Sequence, residues 1–445
     1  MLKTGIFLFS NDLRLEDNPA LTLACREMEK LICLYCPSQP STKNRIRGPS
    51  KLSTHRLHFL HQSLQTLDQN LHSQQQYLLV REQPLLDAVA ELITLHDVTH
   101  VYRSRNAGWY ENHEWNTLVS RYPGIMFQQK HSHTLFTEDE LPFELNGLPT
   151  SFSKFRRLIE PAMISSPTSR PPSIPPSPLL EVTSEFLKTN IDVKNPFIFE
   201  GGENAGRQHL NNYFSQNLAS SYKLTRNGLD GMDYSTKFSP WLSNGCLSVR
   251  SVTARLREYE KDIESNDSTY WIYFELLWRE YYQWYAHKHQ SALFTFKGIS
   301  ASNPKTSFYP QRYQKWCHGN TPFPIINALM NQLNTTGYMS NRGRQLVASC
   351  FVHELNLDWR YGAAFMESQL IDYDIASNWG NWQYLAGVGA DPRGHRKFDL
   401  DKQQSIYDPN GAFTNQWRGN EYNPTLDSVD ASDWPIQGVE KNNQL

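Results

Sequence analysis

The segment 371–393, "IDYDIASNWGNWQYLAGVGADPR", places the carboxylates Asp372 and Asp374, the amides Asn378 and Asn381, and the indoles Trp379 and Trp382 within a few residues of one another. It has neither the alternation of a strand nor the apolar stripe of a surface helix. On a helix the two aspartates, at i and i+2, would point apart, so a shared target requires a turn or an extended stretch around them. Such a pair can hold a divalent metal, but no third carboxylate or histidine at ligand spacing accompanies it. Pairing with Arg279 or Arg344 is the expectation, and no metal site is assigned.

Three other segments gather polar and aromatic residues. In 222–243, "YKLTRNGLDGMDYSTKFSPWLS", Ser239 before Pro240 predicts a helix N-cap. The hydroxyls and amides of Ser235, Thr236, Phe238 and Ser239 can then face an anion, with Lys237 beside it. Many helices start this way without a ligand, and this segment alone leaves that reading open. In 270–285, "YWIYFELLWREYYQWY", helical spacing puts Glu275, Trp278 and Arg279 on one face. A core helix with a satisfied Glu–Arg pair fits those residues as well as a site does. In 336–360, "TGYMSNRGRQLVASCFVHELNLDWR", Ser340 is the predicted N-cap and Asn341, Arg344 and Gln345 share a face. Arg342 and Arg344 in the first turn oppose the helix dipole, a placement that a nearby anion would offset. Separately, "HRLHFLHQ" sets His55, His58 and His61 along one helix, read as a solvated face and not as a metal site.

A chain of 445 residues calls for two or three domains. The formal charge of -2 neither announces nor excludes a nucleic-acid partner, because a basic groove can sit on a neutral protein. No apolar run approaches the length of a membrane span, and "MLKTGIFLFSNDLRLEDN" lacks a cleavable signal, so a cytoplasmic protein is expected. The six cysteines form no paired framework; Cys33 and Cys36, on a predicted strand, should point to opposite faces as buried thiols.

The elements that must position these residues fall into two parts. Short apolar runs, "GIFLFS", "LICLYC", "YLLV", "VTHVYR" and "GIMFQ", alternate with helical patterns and predict a doubly wound parallel sheet over residues 1–135. No Gly-rich turn follows the first strand, so a dinucleotide is not expected in its usual place there. A connector over 136–204 contains the proline-rich stretch 161–178, too rich in proline for a helix or interior strand and read as a linker. An all-α domain follows over 205–430, with Ser248 as a further N-cap, and a polar tail over 431–445. Ten of the twelve tryptophans lie after residue 240, nine of them in the helical part with the four segments.

Taken together and in order, "FSNDLRLEDNPAL", "NGLDGMDYSTKFSPWLSNGCLS", "TYWIYFELLWREYY", "TGYMSNRGRQLVAS", "LDWRYGAAF" and "DYDIASNWGNWQYLAGVGADPR" resemble the photolyase/cryptochrome family, and more closely its DASH-type branch. The resemblance implies an α/β domain joined to a helical domain that holds FAD in a folded shape. By position, Tyr222 and the run Ser235, Thr236, Lys237, Phe238 and Ser239 would hold its phosphates and sugars. Glu275, Arg279, Asn341, Arg344, Asp372, Asp374 and Asn378 would surround flavin and adenine, with Asn378 facing the flavin N5. Trp382, Trp359 and Trp316 would pass an electron from the surface to photoexcited flavin; Trp379 is read as packing.

The resemblance further implies light-driven repair of cyclobutane pyrimidine dimers, with Trp278, Tyr384, Asn341 and Glu275 lining a pocket for a flipped lesion and Arg342 and Arg344 holding phosphates. Gln345 and Tyr384 stand where dimer photolyases tend to have methionine and tryptophan. A more polar, less tightly stacked pocket predicts repair in single-stranded DNA and poor repair in duplex. The competing reading is a blue-light photoreceptor that binds DNA and signals through the flavin's redox state, although little sequence follows residue 430. A remote third is a metal-dependent transferase built on the two aspartates. A methenyltetrahydrofolate antenna stays open, because after "VTHVY" the chain runs Arg103-Ser-Arg-Asn-Ala107 with no carboxylate until Glu111. The protein is expected to be a monomer.

Overall fold

The computed structural model describes residues 3–37, 51–179, 199–301, 303–390 and 397–424. Residues 391–393 of the aspartate segment and the tail 431–445 lie outside them. Five strands, β1 (Thr4–Phe9), β2 (Lys30–Tyr35), β3 (Leu78–Val80), β4 (Val98–Ser104) and β5 (Met126–Lys130), alternate with helices α1 (Pro19–Glu27), α2 (Thr54–His72), α3 (Leu85–His96) and α4 (Trp109–Arg121). All neighbours pair in parallel, in the order β3-β2-β1-β4-β5. Both faces are covered, which is why β1, β2 and β3 are buried almost throughout, whereas the edge strand β5 is polar and largely exposed. On β1 the period of two sends Ile6 and Leu8 into the core under α3 and α4, and Phe7 and Phe9 into a second core that continues into the helical part. Cys33 and Cys36 likewise lie on opposite faces, and the six thiols are free.

The crevice between β1 and β4, where a doubly wound sheet usually takes its ligand, is filled. Asp12, wholly buried, accepts from Ser10 N at 2.7 Å and Ser104 Oγ at 2.5 Å. Gly245 of the helical part backs onto this loop; a Cβ there would meet the Asn11 carbonyl oxygen at 1.8 Å. The contact is locked by a buried ion pair, Arg250 holding Asp17 through two bonds of 3.0 Å.

The connector carries α5 (Phe152–Ile159). The stretch 161–178 forms no helix or strand, yet it is not a free tether. Thr168 N donates to Asp17 at 2.9 Å, Leu31 N to the Pro176 carbonyl at 3.2 Å, and Gln76 Nε2 to the Pro175 carbonyl at 2.6 Å. Proline lacks a donor but keeps its acceptor, so the segment is stitched along the sheet body.

The helical part comprises α6 (Glu203–Ser215), α7 (Val249–Asp262), α8 (Asp267–His289), α9 (Pro310–Cys317), α10 (Pro324–Thr336), α11 (Asn341–Ser349), α12 (Trp359–Gln369), α13 (Ile375–Leu385) and α14 (Leu400–Tyr407). Ser248 caps α7 by accepting from Arg250 N and Ser251 N, and Ser340 caps α11 through Gly343 N. Helix α8 is the central strut, packed on α5, α7 and α13. Its Glu280, wholly buried, accepts from Leu135 N at 2.8 Å, Phe136 N at 3.3 Å and Trp284 Nε1 at 2.7 Å, and burial raises its pKa to about 7. The histidines of α2 depart from the expected solvated face. His55 and His61 are buried, and α2 begins against the helical part, where Ser53 N donates to the Ser368 carbonyl. Polar residues at helical spacing read as a wet face only while the partner body is unknown.

Candidate functional site

The two aspartates lie in a turn that runs into the start of α13, the geometry their spacing demands. Asp372 accepts from Arg344 Nη2 at 2.7 and 3.0 Å and from the Ser239 hydroxyl at 2.6 Å. Burial alone would lower the Arg344 pKa, and Asp372 outweighs it, so the guanidinium is held above its ordinary value. Asp374 caps α13 through Ser377 N at 2.7 Å and takes a second bond, 2.8 Å, from Gln283 of α8. Asn378 donates Nδ2 to the Ala363 carbonyl at 3.0 Å, leaving Oδ1 as its outward atom. Arg344, Asp372, Asp374 and Asn378, with Asn341, Gln345 and Trp382, line a cavity enclosing about 690 Å³ of atom-free space, its open mouth included. Arg279 does not join them. It donates to the carbonyls of His133 and Leu242.

The run 235–239 adjoins this cavity from the other side of Asp372. Ser239 falls in the first turn of a short helix, Ser239–Ser243, capped by Phe238, and its hydroxyl serves Asp372 instead of a free backbone N–H as the sequence had suggested. Ser235 and Lys237 have positive φ of 63° and 54°, a conformation that costs non-glycine residues energy. Tyr338 ties the run to α11: its ring lies 5.2 Å from Lys237 Nζ and 5.4 Å from the Arg344 guanidinium. Thr236 gives its carbonyl to His209 at 2.9 Å. Lys237 is buried, and among the described residues no carboxylate pairs with it. Burial pulls its pKa down to about 8 despite support from Asp230.

On α8, Glu275 pairs with Arg226 and not with Arg279. Burial raises the Glu275 pKa, and Arg226 opposes that rise. Tyr222 is buried beside both, and burial raises its pKa. One turn along, Trp278 stacks on Phe152 at 3.8 Å and 13°, and meets Tyr384 edge-on at 6.1 Å and 75°. Arg342 lies 5.0 Å from the Tyr407 ring of α14 and donates to Asn227 at 3.2 Å.

The tryptophans form a buried cluster. Trp382 meets Trp316 at 6.2 Å, while Trp359 meets Trp379 at 5.8 Å. Trp316, expected as a member of an electron route from the surface, is wholly buried among Phe351, Phe365 and Trp382, with Nε1 on the Val347 carbonyl. Its place on the inner face of α9 is the reason.

A family model described as DNA photolyase matches residues 5–176, and one described as the FAD binding domain of DNA photolyase matches 271–433. A Cryptochrome DASH of Idiomarina loihiensis is 51% identical over 98% of this chain and 97% of its own length; that of Vibrio parahaemolyticus is 49% identical over 99% of both. The chain belongs to the photolyase/cryptochrome family, in its DASH branch. The solved structure of Synechocystis sp. PCC6803 cryptochrome superposes with a TM-score of 0.86 at 36% identity, over 99% of this chain and 95% of that one.

FAD is the cofactor of this family's helical domain, and the residues present suit it. The cavity carries amides and a paired guanidinium, and among the described residues the buried Lys237 beside it has no salt-bridged carboxylate. An unpaired buried ammonium is costly, and a pyrophosphate there would offset the cost. Sequence reasoning missed Arg226, Gln283 and Tyr338, which hold Glu275, Asp374 and Arg344 in place. All three stand inside the singled-out segments, but nothing local marks their partners. Among the described residues no helix is long and apolar enough to cross a membrane.

Proposed function

We propose that the protein repairs cyclobutane pyrimidine dimers with blue light, preferentially in single-stranded DNA. The observation that carries this reading is that one helix, α13, gives Asn378 and Trp382 to the cavity and Tyr384 to the Trp278 ring pair at its side. Reduced FAD, bound and excited, supplies the electron that opens the cyclobutane ring. Ser235, Thr236, Lys237 and Ser239 hold its phosphates, with Tyr222 and Phe238 as the apolar walls. Arg344, paired with Asp372, and Asp374 orient the flavin's polar edge. Asn378, its nitrogen engaged by Ala363, presents oxygen and so accepts from a protonated flavin nitrogen.

A lesion must leave the base stack to reach this place. Glu275, held by Arg226, and Asn341 meet its base edges. Arg342 takes the flanking phosphate. The ring pair grips weakly: Phe152 already covers one face of Trp278, Tyr384 presents an edge, and Gln345 adds a polar wall. Such a pocket offsets little of the cost of extracting a dimer from paired DNA, and that cost is smallest in a single strand. The junction of the two bodies also supports a folate antenna at Glu111, whose buried Oε2 has no partner among the described residues. Repair of a dimer-bearing oligonucleotide by the reduced protein in light and not in the dark is the test. No light-dependent repair of either single strand or duplex would overturn the reading.

A further inference from the structure

Every indole of the cluster is shut away from water: Trp316, Trp359 and Trp379 are 0% exposed and Trp382 is 2% exposed. Electron tunnelling weakens steeply with each layer of protein, so a reductant in solution cannot efficiently refill any of them. The rings beyond Trp316 lead outward. Phe351 and Phe365 stand 4.7 and 5.5 Å from Trp316, and Tyr313 is 6.4 and 6.5 Å from those two. Tyr313 and Trp316 are also i, i+3 neighbours on α9. Tyr361, half-buried on α12, is 6.1 Å from Tyr313 and stacks at 4.1 Å and 24° on Phe308, which is 37% exposed. In this outward file only the two phenols can be oxidised by an indole radical; a phenyl ring cannot.

We propose that Tyr313 and Tyr361 carry the oxidising equivalent from Trp316 to the surface, so that a tyrosine is the residue an external thiol reduces. The inference rests on the reading that Trp382 donates to photoexcited FAD. One electron leaves the Tyr361 phenol, by way of Tyr313, and fills the Trp316 indole cation radical. The Tyr361 hydroxyl proton goes to water, leaving a neutral phenoxyl radical. A thiol then returns one electron and one proton, and the thiyl radicals couple to a disulfide. Tyr313 is buried, and burial raises its pKa, so no phenolate stands there before the flash. Tyr361 is the phenol with a path for the proton to water.

The experiment uses the full-length FAD-loaded protein, flashed with blue light with and without dithiothreitol and followed by transient absorption and freeze-quench EPR. FAD content is measured for every variant, and phenylalanine preserves the rings. A tyrosyl radical is expected in the parent, lost in the Tyr313→Phe/Tyr361→Phe double variant together with thiol-dependent photoreduction. A tryptophanyl radical as the last species in the parent, or unchanged photoreduction in the double variant, overturns the inference. Trp382→Phe separates the two levels: if it photoreduces like the parent, the underlying tryptophan reading fails. If it is inert while the double variant matches the parent, the tyrosine step alone fails.

Discussion

Asp372 bridges two elements that are far apart in sequence, accepting from Arg344 at 2.7 and 3.0 Å and from Ser239 at 2.6 Å. Its side chain is 1% exposed, so the charge is compensated inside the protein and not by water. Removing it strands the guanidinium. Asp372→Asn should cost about 3 kcal/mol of stability in urea unfolding, against about 1 kcal/mol for Ser239→Ala. Equal effects would show that the ion pair is not what matters.

Lys237 gives a pH signature. Burial holds its pKa near 8, below the ordinary 10.5. Between those values the cofactor-free folded state binds fewer protons than the unfolded one, so its stability rises with pH across that window. FAD phosphates favour the charged amine, so binding must take up a proton above pH 8. Affinity of the stripped protein for FAD, followed by fluorescence, should fall about tenfold per pH unit there. Lys237→Arg should flatten the profile, and an unchanged slope would remove Lys237 from the phosphate site.

Asp17 and Arg250 hold the sheet body to the helical part. Burial pushes the Asp17 pKa up, but Arg250 outweighs it, so the net shift is downward. The stability it contributes is present above the unfolded carboxylate value and is lost as pH falls through the lower folded one. Asp17→Ala should cost about 3–5 kcal/mol and, by freeing Thr168, speed subtilisin cleavage of the connector around that residue. Unaltered proteolysis would show that the connector is held by its other bonds.

Gln345 and Tyr384 set the grip on a flipped lesion. Gln345→Met with Tyr384→Trp should raise repair of duplex relative to single-stranded substrate, read as the ratio of initial rates under blue light. A ratio that does not move would place the preference elsewhere.

The sheet was legible because strand-helix alternation and two-sided burial leave an unambiguous apolar pattern, and the caps at Ser248 and Ser340 were legible because their partners are local. Partners distant in sequence were not. Glu275 chose Arg226 over the helical neighbour Arg279, the histidines of α2 found a body to pack against, and the prolines of 161–178 found donors on the sheet. The burial of Trp316 was hidden for the same reason: a helix face is inner or outer only once its neighbours are placed.

The most direct measurement offers one thymine-dimer oligonucleotide to the reduced protein under blue light, as a single strand and as an intact duplex. Rapid repair of the single strand with little repair of the duplex is the expected result. Equal repair of both would contradict the weak-grip pocket, and repair of neither by a protein that holds photoreducible FAD would contradict the repair function itself.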